Sequence, residues 1–145
     1  MNKLIKMKTR ILTAVIALIV FASCTQKANE SDIPKGIIET FNSNFKGSTV
    51  ESWEKENDGG YEAEFDLNGV ETSATFSADG RLIETEQEIE ESALPSTISD
   101  YLNINYAGKS IDEVAKITTG EGMVKYEVEI EKTDLIFDDK GNLSK

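Results

Sequence analysis

Two rhythms alternate along this chain. Ile37, Ile38, Phe41 and Phe45 fall at i, i+1, i+4 and i+8, one face of a helix. Pro34 suits a first helical position and Gly47 the stop, so the spacing predicts a helix over 34–46. The same arrangement returns over 95–107, with Pro95 leading, Ile98, Leu102 and Tyr106 inward and Gly108 as the stop. Ile33 and Leu94 precede the prolines and are placed to pack back on their helices as staples. After each helix the period drops to two. Tyr61, Ala63, Phe65 and Leu67 alternate with Glu62, Glu64 and Asp66; Val124, Tyr126, Val128 and Ile130 alternate with Lys125, Glu127 and Glu129. Such alternation predicts half-buried antiparallel strands. Asn68-Gly69 supplies a hairpin turn, Asp79-Gly80 and Lys140-Gly141 supply further turns, and 83–90 alternates again with Glu84, Glu86, Glu88 and Glu90 on one side. Segments 50–55 and 111–117 are expected to be the first strand of each unit, with a poorer pattern that admits a bulge or a short helical turn.

The two stretches are copies. Helices and final hairpins align at an offset of 61 residues, and the Tyr-Glu-x-Glu strands at 65, so the indels fall in loops and hairpin ends. Each unit reads α-β-β-β-β, the last strand of the second being cut short at Lys145. The expected fold class is α+β: a tandem α-β-β-β-β repeat forming one antiparallel sheet, two helices packed on one face and the other face in water. The expected domain spans 33–145, made of units 33–91 and 94–145.

The first 23 residues read differently. Lys3, Lys6, Lys8 and Arg10 precede an apolar run over 11–20, and then come Phe21-Ala22-Ser23-Cys24. A basic start, a short apolar stretch and small residues at the break make a secretory signal; a membrane span would need about 20 apolar residues. A Cys directly behind the small pair resembles the lipobox of bacterial lipoproteins, which implies that Cys24 is acylated and becomes the new N-terminus. Acyl chains would then hold the protein on a membrane surface at about 0.8 kcal/mol per buried CH₂. Residues 24–32 are expected to be a polar tether. The expected location is the envelope, on the periplasmic side or the cell surface.

Charge narrows the partners. The chain holds 15 Lys+Arg against 27 Asp+Glu, and without the four cations of the leader the balance is 11 against 27, a net of −16. Nucleic acid is excluded as a partner, because phosphate binding needs a basic surface. No His occurs anywhere, which removes the commonest general base, the Ser-His-Asp triad and His-ligated metals. The single Cys is assigned to the lipid, and no P-loop or dinucleotide-binding glycine pattern is present. Paired carboxylates can hydrolyse glycosides, but these lie at period two on a predicted solvated face in a chain with little room for a pocket. No enzyme, catalytic residue, cofactor or metal site is therefore expected.

What the acidic face meets is the open question. Glu62, Glu64, Asp66, Glu71, Glu84, Glu86, Glu88, Glu127 and Glu129 are expected to share the outer face. Solubility alone explains such a face. So does a basic partner surface, or calcium, which prefers carboxylate oxygens. The Asp138-Asp139-Lys140-Gly141-Asn142 segment lacks calcium-loop spacing and reads as a plain turn. Trp53, opposite Val114 in the repeat, has two readings: core packing, or a hot spot on the binding face. The candidate protein-binding face is thus Trp53, Glu62, Glu64, Glu84, Glu86, Glu88, Glu127 and Glu129, and the expected partner is an envelope protein.

The Pro-led helix, the Tyr-Glu-x-Glu strand and the Phe-x-x-x-Gly-x-Leu hairpin resemble the PepSY-like, β-lactamase-inhibitor-like lipoproteins of Bacteroidetes over nearly all of 33–145. The resemblance implies a tandem αβ repeat whose open sheet face serves as a binding surface, and it transfers no catalytic residue.

Overall fold

The computed structural model describes residues 26–144. The leader and Cys24 lie outside the described residues. The chain runs β1 (Gln26–Ala28), α1 (Lys35–Asn44), β2 (Val50–Lys55), β3 (Tyr61–Leu67), β4 (Val70–Phe76), β5 (Leu82–Glu88), α2 (Ser96–Asn105), β6 (Ile111–Thr119), β7 (Val124–Ile130) and β8 (Thr133–Asp138). All eight strands form one sheet in chain order, and every neighbouring pair is antiparallel. Both helices pack on one face of this sheet, so the fold is the expected α+β repeat.

The helices form where the period said, one to two residues shorter at each end. Pro34 and Pro95 sit just outside as N-caps, and the last turns close on Phe45 N–H→Phe41 O and Tyr106 N–H→Leu102 O, each 2.8 Å. Strands β2 and β6 carry the weak pattern for a physical reason. Each has a register shift, between Val50 and Ser52 and between Ile111 and Glu113. A bulge adds a residue and reverses which side chains face inward.

The tether expectation is corrected. Gln26–Ala28 pairs with β2, with Ala28 opposite Trp53, and a 3₁₀ turn over Glu30–Asp32 leads to α1. The repeat explains why. Adding 61 to Ala28 gives Ile89, whose N–H donates to Val114 O, and Val114 is the counterpart of Trp53. The turn over Glu30–Asp32 likewise matches the one over Glu91–Ala93. Each helix is thus preceded by a strand that pairs with the strand following it. Polar residues 26–32 carry no periodic signal, so only the partner strand reveals them.

There are two cores. Under α1, Ile37, Phe41 and Phe45 meet Trp53, Tyr61, Ala63, Phe65, Ala74 and Phe76. Phe41 sits at the centre, with its ring 4.9 Å from Phe65 and 6.0 Å from Trp53, both edge-on. Under α2, Ile98 and Leu102 meet Val114, Val128, Ile130, Leu135 and Phe137. The helix-side positions between the two cores are polar: Thr85 and Gln87 on β5, Lys116 and Thr118 on β6. Gln87 Nε2 donates to Thr72 Oγ1 at 3.3 Å there. Close backbone approach at this seam requires Gly120, whose N–H donates to Ile83 O at 2.6 Å and whose missing Cβ would strike Leu82 O.

Phe41→Ala removes the ring that touches both the strands and the helix mates, and is expected to cost about 3–5 kcal/mol in urea unfolding. Ile104→Ser, at a side chain 79% exposed, is expected to change stability by less than about 0.5 kcal/mol.

Candidate functional site

Trp53 does not belong to the binding face. It is 5% exposed and packs against Phe41 and Phe76 on the helix side. On an antiparallel strand a neighbour points the opposite way, and Trp53 sits between Ser52 and Glu54, which pair with Glu64 and Glu62. An indole on the helix side cannot share a face with those carboxylates.

The glutamates do share one. Residues opposite each other in register point to the same side, and the rows can be followed across the sheet. One row runs Glu64, Ser73, Glu86, Ile117, Lys125, Asp138. The next runs Glu54, Glu62, Thr75, Glu84, Thr119. On the other side come Glu88, Ala115, Glu127, Ile136, and then Glu113, Glu129, Asp134. All seven glutamates of the candidate face therefore lie on the outer side, as do Asp66 and Glu71. Ser73 and Thr75 on β4 stand between the glutamates of β3 and β5, which keeps those like charges from meeting directly. Ser52 Oγ donates to Glu64 Oε2. Direct carboxylate pairs remain at Glu54–Glu62, Asp66–Glu71 and Glu113–Glu129–Asp134.

This face is not the flat, water-bathed surface expected from the alternation. Ala115 and Ile117 point outward yet are 2% and 3% exposed, and Glu127 is 6% exposed. Glu86, Glu113, Glu127 and Glu129 line a shallow hollow floored by Ala115. Ile117 lies in register between Glu86 on β5 and Lys125 on β7, so long side chains flank this buried outward residue on both sides. The sequence reading missed Glu113, Ala115 and Ile117. Their phase follows from the bulge after Ile111; the one signal was that Val114 and Ala115 break the alternation of apolar and polar residues.

Crowding shows in the acidities. Burial pushes Glu86 up to about 8 from an ordinary 4.5, and the neighbouring charges of Glu127, Glu113, Glu62 and Glu84 add to it. Burial likewise pushes Glu62 up to about 7, with Glu56, Glu64 and Glu54 adding and a hydrogen bond from Ser73 opposing. Glu71 is raised mainly by burial, then by Glu88. The turns behave oppositely. Asp138 is lowered by hydrogen bonds from the Asn142 side chain and backbone N–H, then from Lys140 N–H. Its oxygens serve the turn, as expected of a plain hairpin. Among the described residues no group of three or more acidic side chains is arranged to hold a metal ion.

A sheet of this order with a helix before each half places the protein among the tandem αβ repeat proteins. The family model of PepSY-like, beta-lactamase-inhibitor-like proteins matches residues 23–83 and again 59–145, and the chain belongs to that family. Three solved structures share the fold. A protein of Bacteroides eggerthii described as periplasmic superposes with a TM-score of 0.71 at 14% identity, over 77% of this chain and 86% of its own. A DUF2874 family protein of Bacteroides uniformis gives 0.71 at 14% identity, over 78% and 87%. A BLIP-like protein of Bacteroides fragilis gives 0.65 at 21% identity, over 77% and 83%. No curated protein matches the chain. Among the described residues no helix is long and apolar enough to cross a membrane.

The raised pKa values carry a stability signature. Glu62 and Glu86 bind protons in the folded chain that the unfolded chain releases near 4.5. Their contribution is full below that value and is lost as pH rises through about 7 and about 8. Urea unfolding is therefore expected to show lower stability at about pH 9 than at about pH 6, by roughly 1–2 kcal/mol per group after screening by solvent. Glu86→Gln is expected to flatten most of that slope.

Proposed function

We propose that this protein is a non-enzymatic binding module, anchored in the envelope through Cys24, that docks a protein with a basic surface on the outer face of its sheet. The observation that carries the reading is the charge distribution on that face. Four rows of carboxylates run across β2 to β8, while the cations there are Lys27, opposite Glu54, and Lys125, opposite Asp138. A face so charged favours encounter with a positive surface and rejects negative ones. Membership of an inhibitor-like family supports a protein partner, and an envelope enzyme is the target class this suggests. The absence of His from the sequence supports a role without catalysis. Calcium is the weaker reading, since calcium sites gather several oxygens around one point and the described carboxylates are spread along rows.

The soluble segment 25–145, immobilised and exposed to envelope extract, is expected to retain one protein in stoichiometric amount at low salt and to lose it at high salt. The double variant Glu64→Lys, Glu84→Lys is expected to weaken retention at least about tenfold while unfolding at nearly the wild-type urea concentration. Retention unchanged in that variant would refute docking on this face.

A further inference from the structure

The strand that replaces the expected tether limits how far the domain can stand from its anchor. β1 begins at Gln26 and is held in the sheet by pairing with β2. Gln26 lies two residues after Cys24, and two residues span at most about 7 Å in any conformation. A flexible linker of about ten residues would give a mean reach of roughly 17 Å. The connection in this chain leaves no such freedom.

Register says which end of the sheet meets the anchor. Gln26 lies opposite Lys55, the last residue of β2. Lys55 lies opposite Tyr61, and Tyr61 opposite Phe76, so the turns 56–60 and 77–81 project from this same end. The two turns lie side by side: a Cβ placed on Gly59 would sit 3.8 Å from Ala78 Cβ. Helix α1 is tied to the second turn, where Thr40 Oγ1 donates to Gly80 O at 2.7 Å. At the other end of β3 and β4 is the hairpin tip Asn68-Gly69, with Leu67 opposite Val70. β3 has seven residues, so the tip is roughly 20 Å away. The two ends differ in charge. Lys55 and Arg81 accompany Glu56, Asp58 and Asp79 at the near turns, and Arg81 pairs with Asp79 at 3.0 Å. Asp66 and Glu71 flank the far hairpin with no cation in the sequence between them. Anionic headgroups therefore repel the near end less than the far end or the carboxylate rows.

We propose that the two-residue connection to Cys24 seats the near end of β1 to β4, with turns 56–60 and 77–81, on the lipid surface, so that these strands rise from the membrane and the acidic outer face stands open at its side.

This pose rests on the Cys24 anchor of the docking reading and adds a second contact, between the domain and the lipid. It keeps the carboxylate rows clear of headgroups that would repel them. It also gives docking a direction, because a partner then reaches the outer face along the plane of the membrane. Docking itself is measured on the lipid-free segment 25–145, so its failure is read apart from a failure of the pose.

The test uses the acylated full chain in vesicles of phosphatidylethanolamine and phosphatidylglycerol, with nitroxide groups on a fraction of the lipid heads. Cys24 is the only cysteine and its thiol is consumed by the acyl group, so a cysteine introduced elsewhere takes a fluorescent label alone. Ala78, in the near turn, and Val70, beside the far hairpin, are both exposed. The nitroxides quench labels that come close to the headgroups. The label in Ala78→Cys is expected to be quenched at least about threefold more than the label in Val70→Cys, since a strand length separates them. About ten Gly and Ser residues inserted between Thr25 and Gln26 are expected to remove most of that difference. Equal quenching at the two sites, stronger quenching at Val70, or a difference that survives the insertion would overturn the pose. An intact mass without acyl chains on Cys24 would overturn it together with the anchor.

Discussion

Cross-strand register is the constraint on which this molecule depends. Seven antiparallel pairings in chain order tie the side of every residue to the side of its neighbour, from Gln26 to Asp138. A slip of one residue in any pairing would carry glutamates into a helix-covered core and phenylalanines into water. The bulges in β2 and β6 occur where each unit's helix hands over to its sheet, and a third register shift lies between Thr75 and Phe76 in the β4–β5 pairing. The cores beneath α1 and α2 then lock the register, because Phe41, Phe65 and Phe76 on one side and Ile98, Val128 and Phe137 on the other are nearly fully enclosed.

The same constraint creates the acidic face. With aromatic and aliphatic side chains committed to the helices, the intervening positions must look the other way, and in this sequence they are mostly acidic. The arrangement stores repulsion, and the fold moderates it in two ways. Ser73 and Thr75 separate the β3 and β5 rows, and Glu62 and Glu86 hold protons beyond the usual carboxylate range. A basic partner of the kind proposed above would relieve the remaining repulsion. The chain belongs to the PepSY-like, beta-lactamase-inhibitor-like family, and the docking proposed above would bring a positively charged protein surface to this face.

Much of this was legible in the sequence, and the misses are instructive. Helix spacing led by Pro34 and Pro95, and strict alternation in 61–67 and 124–130, specify both the elements and the side each glutamate takes. The single antiparallel sheet with both helices on one face followed from the repeat. Residues 26–28 gave no signal because a three-residue strand of Gln, Lys and Ala is held by its partner, not by its own pattern. Trp53 was ambiguous because its strand carries a bulge, and its side is fixed only by pairing with Ala63. Alternation also tells which face a residue takes but nothing of how crowded that face is. Glu86 and Glu127 look like Glu88 in sequence, yet Glu88 is exposed and Glu127 is enclosed. The difference comes from the neighbours across β6, above all Ala115 and Ile117, which occupy outward positions where polar residues were expected.

The central claim is that the outer face is crowded enough to alter the chemistry of its carboxylates. Carboxyl-carbon NMR of the glutamate side chains, followed through a pH titration, addresses it directly. The account predicts that Glu86 titrates near 8 and Glu62 near 7, well apart from the ordinary value of 4.5. All glutamates titrating together near 4.5 would contradict it, and would return the acidic rows to a solvated surface.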